Sequence, residues 1–233
     1  VQEICDSLAK KPSVVMICIT CVDALLGTDM ERICRKAEEK AGLSVRPCYM
    51  YALTREGRKP PMVHVRQSLY SLLEPKKKKG NVVNLLGFFS PLMDDCELYG
   101  MLEKAGVKTI HEISRCKDYE EYQTMAEANF NLVLHPEARF AAEDFHENLK
   151  IPFIELRRLY QIDKITKQYQ ALGNVLGISF EDREAEAAAL EAVERLKSAK
   201  PDAVFAIGEC MNGDPFELAL ALVRYGFRVA EIY

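Results

Sequence analysis

The 233-residue chain has no tryptophan, and none of its apolar runs approaches the roughly 20 residues needed to span a bilayer. Nothing near Val1 has the charged, apolar and small-residue order of a secretory signal. Positive charge is not in surplus. The 31 Lys and Arg residues against 35 Asp and Glu give a formal net charge of −4, which speaks against a nucleic-acid partner. The one dense basic run, Lys76 to Lys79, lies between Pro75 and Gly80 and reads as a solvated linker. No catalytic triad, paired carboxylates or G-x-G-x-x-G can be picked out. No membrane partner is expected either.

The eight cysteines, at positions 5, 18, 21, 34, 48, 96, 116 and 210, are scattered and do not crowd into a small stapled scaffold. That usage suits a reducing, cytoplasmic setting in which thiols are buried or bind metal. Hydrophobic residues make up 48% and charged residues 28%, as in ordinary globular proteins.

Apolar runs and helical patterns alternate along the chain. An apolar run at 14–19 leads to a helix near 28–41 closed by Gly42. A strand near 44–48, a Pro-, Gly- and Arg-rich loop from Tyr51 to Pro61, and a helix near 62–73 follow. Beyond the lysines come a strand near 81–87, a helix with Ser90 as N-cap and Pro91 at its first position, and a strand at 107–113. Asp118 caps the next helix. The strand at 130–134 runs into Pro136 and a helix whose Ala138, Ala141, Ala142, Phe145 and Leu149 recur at helical spacing. After a strand at 152–156, residues 161–200 hold two helical patterns, the second capped by Ser179 with Asp182 and stopped by Pro201. Strand 203–208, helix 214–225 and strand 227–232 end the chain, with Asp214 as cap and Glu217 closing the box. Strands separated by helices make βαβ units, so the expected fold class is α/β with mostly parallel sheets.

The stretch from Val14 to Glu31 is the most informative. Its apolar run stops at Thr20-Cys21, and Thr28-Asp29-Met30-Glu31 reads as a capping box opening a helix. Cys21 therefore stands at the carboxyl end of a strand, where open α/β sheets place ligand chemistry. A thiolate there suits iron, zinc or a cluster.

These residues resemble the nitrogenase component 1-type oxidoreductase family, in which a strand ends in a cysteine that ligates an interface iron–sulfur cluster and an IGDD-like segment opens the next helix. Cys21 matches that cysteine, Leu26-Gly27 the Ile-Gly and Asp29 the second aspartate, while Thr28 replaces the first. Asn84-Leu85-Leu86-Gly87 looks like the strand entering the family's second domain, and Asn131 to Pro136 like a later strand end. Ile151-Pro152-Phe153-Ile154 resembles its Gly-Ile-Pro segment, with Lys150 where glycine is usual.

The resemblance implies Rossmann-like component 1 domains, the middle one complete and the flanking ones truncated. Residues 1–78 would be the carboxyl-terminal part of a first α/β domain and 79–160 the middle domain. Residues 161–233 would form a helical connection and a partial third domain. The chain, starting at Val1 and ending after an apparent strand, would be an internal piece that lacks the family's amino-terminal cysteines.

The candidate cofactor-binding residues are Cys21, as a cluster ligand in the full-length protein, and His135. His135 precedes Pro136 at a helix start, whose amides favour the neutral, metal-binding imidazole. By resemblance it lies in register with, or one residue from, the cysteine that holds the active-site metallocluster of nitrogenase. A histidine filling an N-cap is the other reading. Cys18, three residues before Cys21 in the apolar run, reads as a core residue pointing to the opposite face. Arg55, Arg58 and Lys59 replace the family's Gly-Phe-x-Gly, and they read as a solvated loop. The turn from Gly208 to Pro215 reads as a plain strand-to-helix connection. His64, His111 and His146 receive no role.

The resemblance implies cluster-dependent multi-electron reduction. It also implies an ATP-dependent iron–sulfur reductase and a second component 1-like subunit as partners. The metal clusters, not side chains, would carry the chemistry. A scaffold for metallocofactor assembly and a metal-free small-molecule binding module are the alternatives. This chain by itself is expected to hold no iron–sulfur cluster, because the cysteines preceding the Cys21 position would lie before Val1.

Overall fold

The computed structural model describes residues 1–50, 59–208 and 213–233. Arg55, Arg58 and the middle of the turn before Pro215 lie outside the described residues.

In chain order the elements are α1 (Gln2–Ser7), β1 (Val14–Ile19), α2 (Cys21–Leu25), α3 (Met30–Ala41), β2 (Ser44–Tyr49), α4 (Pro61–Tyr70), β3 (Val82–Leu86), α5 (Glu97–Lys104) and β4 (Thr109–His111). Then follow α6 (Tyr119–Gln123), β5 (Phe130–Val133), α7 (Arg139–Leu149), β6 (Phe153–Glu155), α8 (Ile162–Leu176), α9 (Arg183–Ala199), β7 (Val204–Ile207), α10 (Pro215–Arg224) and β8 (Arg228–Ile232). They form a two-stranded sheet β1-β2, a four-stranded sheet ordered β4-β3-β5-β6, and a two-stranded sheet β7-β8. Every strand pair among the described residues is parallel. The expected α/β class with a four-strand middle sheet is what the chain adopts.

The chain divides into two compact units. One comprises Val1–Asp94 with Val107–Glu155, the other Asp95–Gly106 with Leu156–Tyr233. In the first, β3 (VVNLL) and β5 (FNLV) are buried at every position, as expected for parallel strands covered on both faces. Tyr70, Leu86, Tyr122, Met125, Val133, Phe145 and Ile151 form its core, and Val14 and Met16 of β1 pack against it. Two asparagines interrupt that core. Asn84 and Asn131 face each other in register, with Asn84 Nδ2 donating to Asn131 Oδ1 at 2.8 Å and to the Met125 carbonyl at 2.9 Å. Asn84 Oδ1 and Asn131 Nδ2 have no partner.

Several local expectations need correction. The cap of α3 is Asp29, whose Oδ1 accepts from the Arg32 amide at 3.0 Å, and not Thr28. Glu31 instead accepts from the Tyr49 hydroxyl at 3.3 Å. The chain between Thr20 and Thr28 is not a plain turn: Cys21–Leu25 is helical, and the Asp23 carboxylate accepts from the Thr20 amide at 3.2 Å. The Ser90-Pro91 start does not nucleate a helix, and α5 begins at Glu97. The segment before it is held by β4 and the turn that follows. The Leu92 amide donates to Glu112 Oε2 at 2.9 Å, while Arg115 donates to the Leu92 carbonyl at 2.9 Å and to Asp94 at 2.6 Å. The lysine run is not wholly solvated either. Lys78 Nζ donates to the Ala126 carbonyl at 2.5 Å, and Lys79 pairs with Glu127.

In the second unit Asp214 caps α10 as expected, accepting from the Phe216 and Glu217 amides at 2.9 and 3.2 Å. Glu217 does not close a capping box. Its carboxylate accepts from the Tyr160 amide at 2.7 Å and from Gln161 Nε2 at 2.8 Å, and Arg224 donates to Gln161 Oε1. Phe205 of β7 meets Phe227 edge-on at 5.5 Å between ring centroids.

Candidate functional site

In the four-stranded sheet the chain leaves β3 for β4 on one side and β5 for β6 on the other. The order therefore reverses between β3 and β5, and a crevice outside the carboxyl ends of those strands is where open α/β sheets bind ligands. The residues there are Gly87 and Phe88 after β3, and Leu134 and His135 after β5. Gly87 has φ +143°, and a Cβ on it would stand 2.7 Å from the His135 amide nitrogen and 2.8 Å from its Cβ. Only glycine lets the two strand ends approach so closely. The Phe88 ring meets His135 edge-on at 5.6 Å.

His135 sits where its sequence context places it, at the start of a 3₁₀ turn (Pro136–Ala138) that leads into α7. Its Nδ1 accepts from the Glu137 amide at 3.3 Å, and the Glu137 carboxylate lies 3.7 Å away. In the neutral ring that leaves the proton on Nε2. A metal on Nε2 requires the opposite tautomer, with the proton on Nδ1 and the capping bond broken. Capping and ligation thus compete for one imidazole.

Arg66 is the residue that sequence reasoning passed over. It is 5% exposed and lies on the buried stripe of α4 with Val63 and Tyr70. Its Nε and Nη2 donate to the Gly87 carbonyl at 2.9 and 2.6 Å, and its Nη1 to the Met62 carbonyl at 3.0 Å and to Glu137 Oε2 at 2.7 Å. The Phe89 ring lies 4.7 Å from the guanidinium carbon. One buried cation therefore ties the loop after β3 to the turn after β5. The available signal was an arginine spaced three and four residues from apolar positions on one helix face. Lys59 of the expected solvated loop is engaged as well: its Nζ donates to Gln67 Oε1 at 3.0 Å and lies 4.1 Å from the Phe140 ring centre.

Cys21 lies elsewhere, beyond the carboxyl end of β1 in the two-stranded sheet. It is the first residue of α2, half-buried, and a free thiol. Around it α2 and the residue that ends it turn apolar side chains to solvent, with Leu25 79% and Leu26 75% exposed. Cys18 is not a core residue but exposed, because β1 belongs to a sheet of only two strands and its apolar run is not covered throughout. Cys21 and His135 thus end strands of two different sheets. No three His, Cys, Asp or Glu side chains among the described residues are grouped to hold a metal ion.

Parallel sheets with candidate chemistry at their carboxyl ends define an α/β protein of the doubly wound type. The chain belongs to the nitrogenase component 1 type oxidoreductase family, whose model matches residues 2–224. It is similar to nitrogenase iron-molybdenum cofactor biosynthesis protein NifE of Nostoc sp. (strain PCC 7120), with 26% identity over 170 residues, or 71% of this chain and 35% of that protein. The NifE proteins of Rhizobium meliloti (28% over 159 residues; 66% and 33%) and Clostridium pasteurianum (22% over 193 residues; 81% and 42%) are similar too. The chain spans about a third of the length of the first of these relatives. A solved structure titled nitrogenase Cp1 at pH 6.5 shares the fold at TM-score 0.67 and 17% identity, covering 96% of this chain and 54% of that one. No helix among the described residues is long and apolar enough to cross a membrane.

Proposed function

We propose that the protein to which this chain belongs is a component 1-type subunit that serves as a scaffold for assembling a metallocofactor. The carrying observation is the likeness to cofactor biosynthesis proteins over 66–81% of this chain. In this reading Cys21 supplies one thiolate to an iron–sulfur cluster whose other ligands lie outside these 233 residues, in the rest of the protein and in a second component 1-like subunit. When bound, such a cluster supplies electron transfer. The chain's own part is to present Cys21 on a short helix fixed by Asp23 and surrounded by apolar surface. The division at 78 and 160 into parts of three α/β domains belongs to the same proposal.

His135 is the proposed second metal contact, reached when its proton moves to Nδ1. A cofactor in transit suits a ligand that is also a helix cap, because release restores the capping hydrogen bond.

A second reading is a reductase-fed oxidoreductase acting in the cytoplasm with an ATP-dependent iron–sulfur partner. The family's description and the nitrogenase fold favour it. Full-length protein purified without oxygen separates the two. The scaffold reading expects iron in the preparation, a lower iron content on Cys21→Ala, and activation of cofactor-free nitrogenase component 1. Reductase-dependent substrate turnover without such transfer favours the second reading. Iron-free protein overturns both and leaves a metal-free binding module.

A further inference from the structure

Cys18 and Cys48 are register partners in the parallel pair β1-β2. Register partners carry their side chains on the same face of a sheet, with neighbouring strands roughly 4.8 Å apart. That spacing lies inside the Cα separation of about 4.4–6.8 Å that a disulfide spans. Both thiols are free, Cys18 is exposed, and Cys48 is 5% exposed. We propose that Cys18 and Cys48 are the two halves of a reversible disulfide that locks the carboxyl edge of the first sheet beside α2, which carries Cys21.

The two thiols have unequal roles. Cys18, open to solvent, is the one that meets the oxidant. Burial, and then the neighbouring Cys18 thiol, push the Cys48 thiol up from its ordinary value, so Cys48 stays protonated until a partner is presented to it. With a small disulfide such as oxidised glutathione, the Cys18 thiolate attacks one sulfur and expels one glutathione thiolate, leaving a mixed disulfide. Cys48 then loses its proton to solvent and attacks Cys18 Sγ, forming the protein disulfide and expelling the second glutathione thiolate. Two protein thiols are oxidised and one glutathione disulfide is reduced to two thiols. A reducing dithiol reverses both steps.

Competing pairings are less well placed. Cys21 follows Cys18 by three residues but belongs to α2, so its side chain is not set by the strand's alternation. Cys34 lies buried on α3. The link would matter because a two-stranded sheet has little stability of its own. Joining β1 to β2 one residue before β1 ends fixes the base of the segment that presents Cys21.

The test equilibrates the fully reduced 233-residue chain in glutathione buffers of rising oxidised fraction, followed by acid quenching, alkylation and peptide mass mapping. The expected result is a Cys18–Cys48 linked peptide that grows with the oxidised fraction and disappears with dithiothreitol, while Cys21 stays alkylated. Cys18→Ser, at an exposed site, should abolish the link and retain the circular dichroism of the parent. Cys48→Ser should leave Cys18 as its glutathione mixed disulfide. Amide hydrogen exchange of β1 and β2 should slow at least tenfold in the oxidised chain. Absence of the linked peptide across the whole range, a Cys18–Cys21 link in its place, or unchanged exchange would overturn the proposal.

Discussion

Replacing Arg66 with methionine keeps most of the apolar stem and removes the charge that joins the two strand-end loops. Two of its bonds end on the Gly87 carbonyl, one on the Met62 carbonyl and one on Glu137. Hydrogen bonds from a charged donor contribute about 1.5–3 kcal/mol each, and stripping a buried ion of its partner costs about 3–5 kcal/mol. Two facts reduce that figure. The Glu137 side chain is 34% exposed, so water meets part of its charge once Arg66 is gone. Met62 lies one turn back on α4, so its carbonyl bond is local. What remains is chiefly the Gly87 carbonyl, left between a glycine-only strand end and a histidine cap. The net cost should be about 3 kcal/mol, centred on β3 and β5.

Because the chain has two compact units, one unfolding midpoint would blend their stabilities. Native-state hydrogen exchange of the β3 and β5 amides reads the effect directly, and about 3 kcal/mol corresponds to exchange faster by roughly two orders of magnitude. Glu137→Gln, which leaves both Gly87 bonds in place, should accelerate exchange less than tenfold. If Arg66→Met changes β3 and β5 exchange by less than about tenfold, or if Glu137→Gln matches it, Arg66 is not the tie described.

Lys150 closes α7 with φ 56°, a left-handed conformation that favours glycine, so Lys150→Gly should stabilise the first unit by about 0.5–1 kcal/mol, read from slower native-state hydrogen exchange of the α7 amides. Asn84→Leu and Asn131→Leu alone each orphan a buried amide and should cost about 1–3 kcal/mol, whereas the double variant should cost less than the two together; additive losses in native-state hydrogen exchange of β3 and β5 would contradict the paired-amide account. Burial raises Cys34, Cys48, Tyr70 and Tyr122 above their ordinary values of 9.0 for the thiols and 10.0 for the phenols. The unfolded first unit therefore loses these protons first, so its stability is fully present below about pH 9 and should decline as pH rises beyond it, measured from pH 8 to 11 as the urea concentration at which proteolysis cleaves the β3 and β5 peptides.

The parts of the fold that depend on short-range chemistry were legible in the sequence. Asp118 caps its helix through the amide three residues on, Asp214 through those two and three residues on, and the β3 and β5 runs are buried throughout because helices intervene between parallel strands. What was not legible depends on residues far apart in sequence. Ser90-Pro91 carries a good local start signal, yet Glu112 and Arg115, some twenty residues on, take the Leu92 amide and carbonyl and hold that segment out of a helix. Glu217 has the spacing of a capping-box acid but is drawn off by Tyr160 and Gln161. The helix at Cys21 is five residues long, too short for a periodicity to register.

The candidate site divides along the same line. Cys21 and His135 stand out as candidates in the sequence because each ends a strand, a position that the order of elements fixes, and because each falls at a matching place in the family resemblance. Arg66 was missed because its role depends on two loops that only the sheet topology brings together. A lone arginine on an apolar stripe has few structural options: it snorkels out, or it is paired and buried. Val63, Arg66 and Tyr70 at buried positions exclude the first. The second then requires acceptors at the strand ends facing α4, and a glycine whose φ lets its carbonyl turn inward is the natural supplier. A buried arginine three and four residues from apolar neighbours, upstream of a strand that ends in glycine, is therefore a usable sign of a stabilised switch point in sheets of this kind.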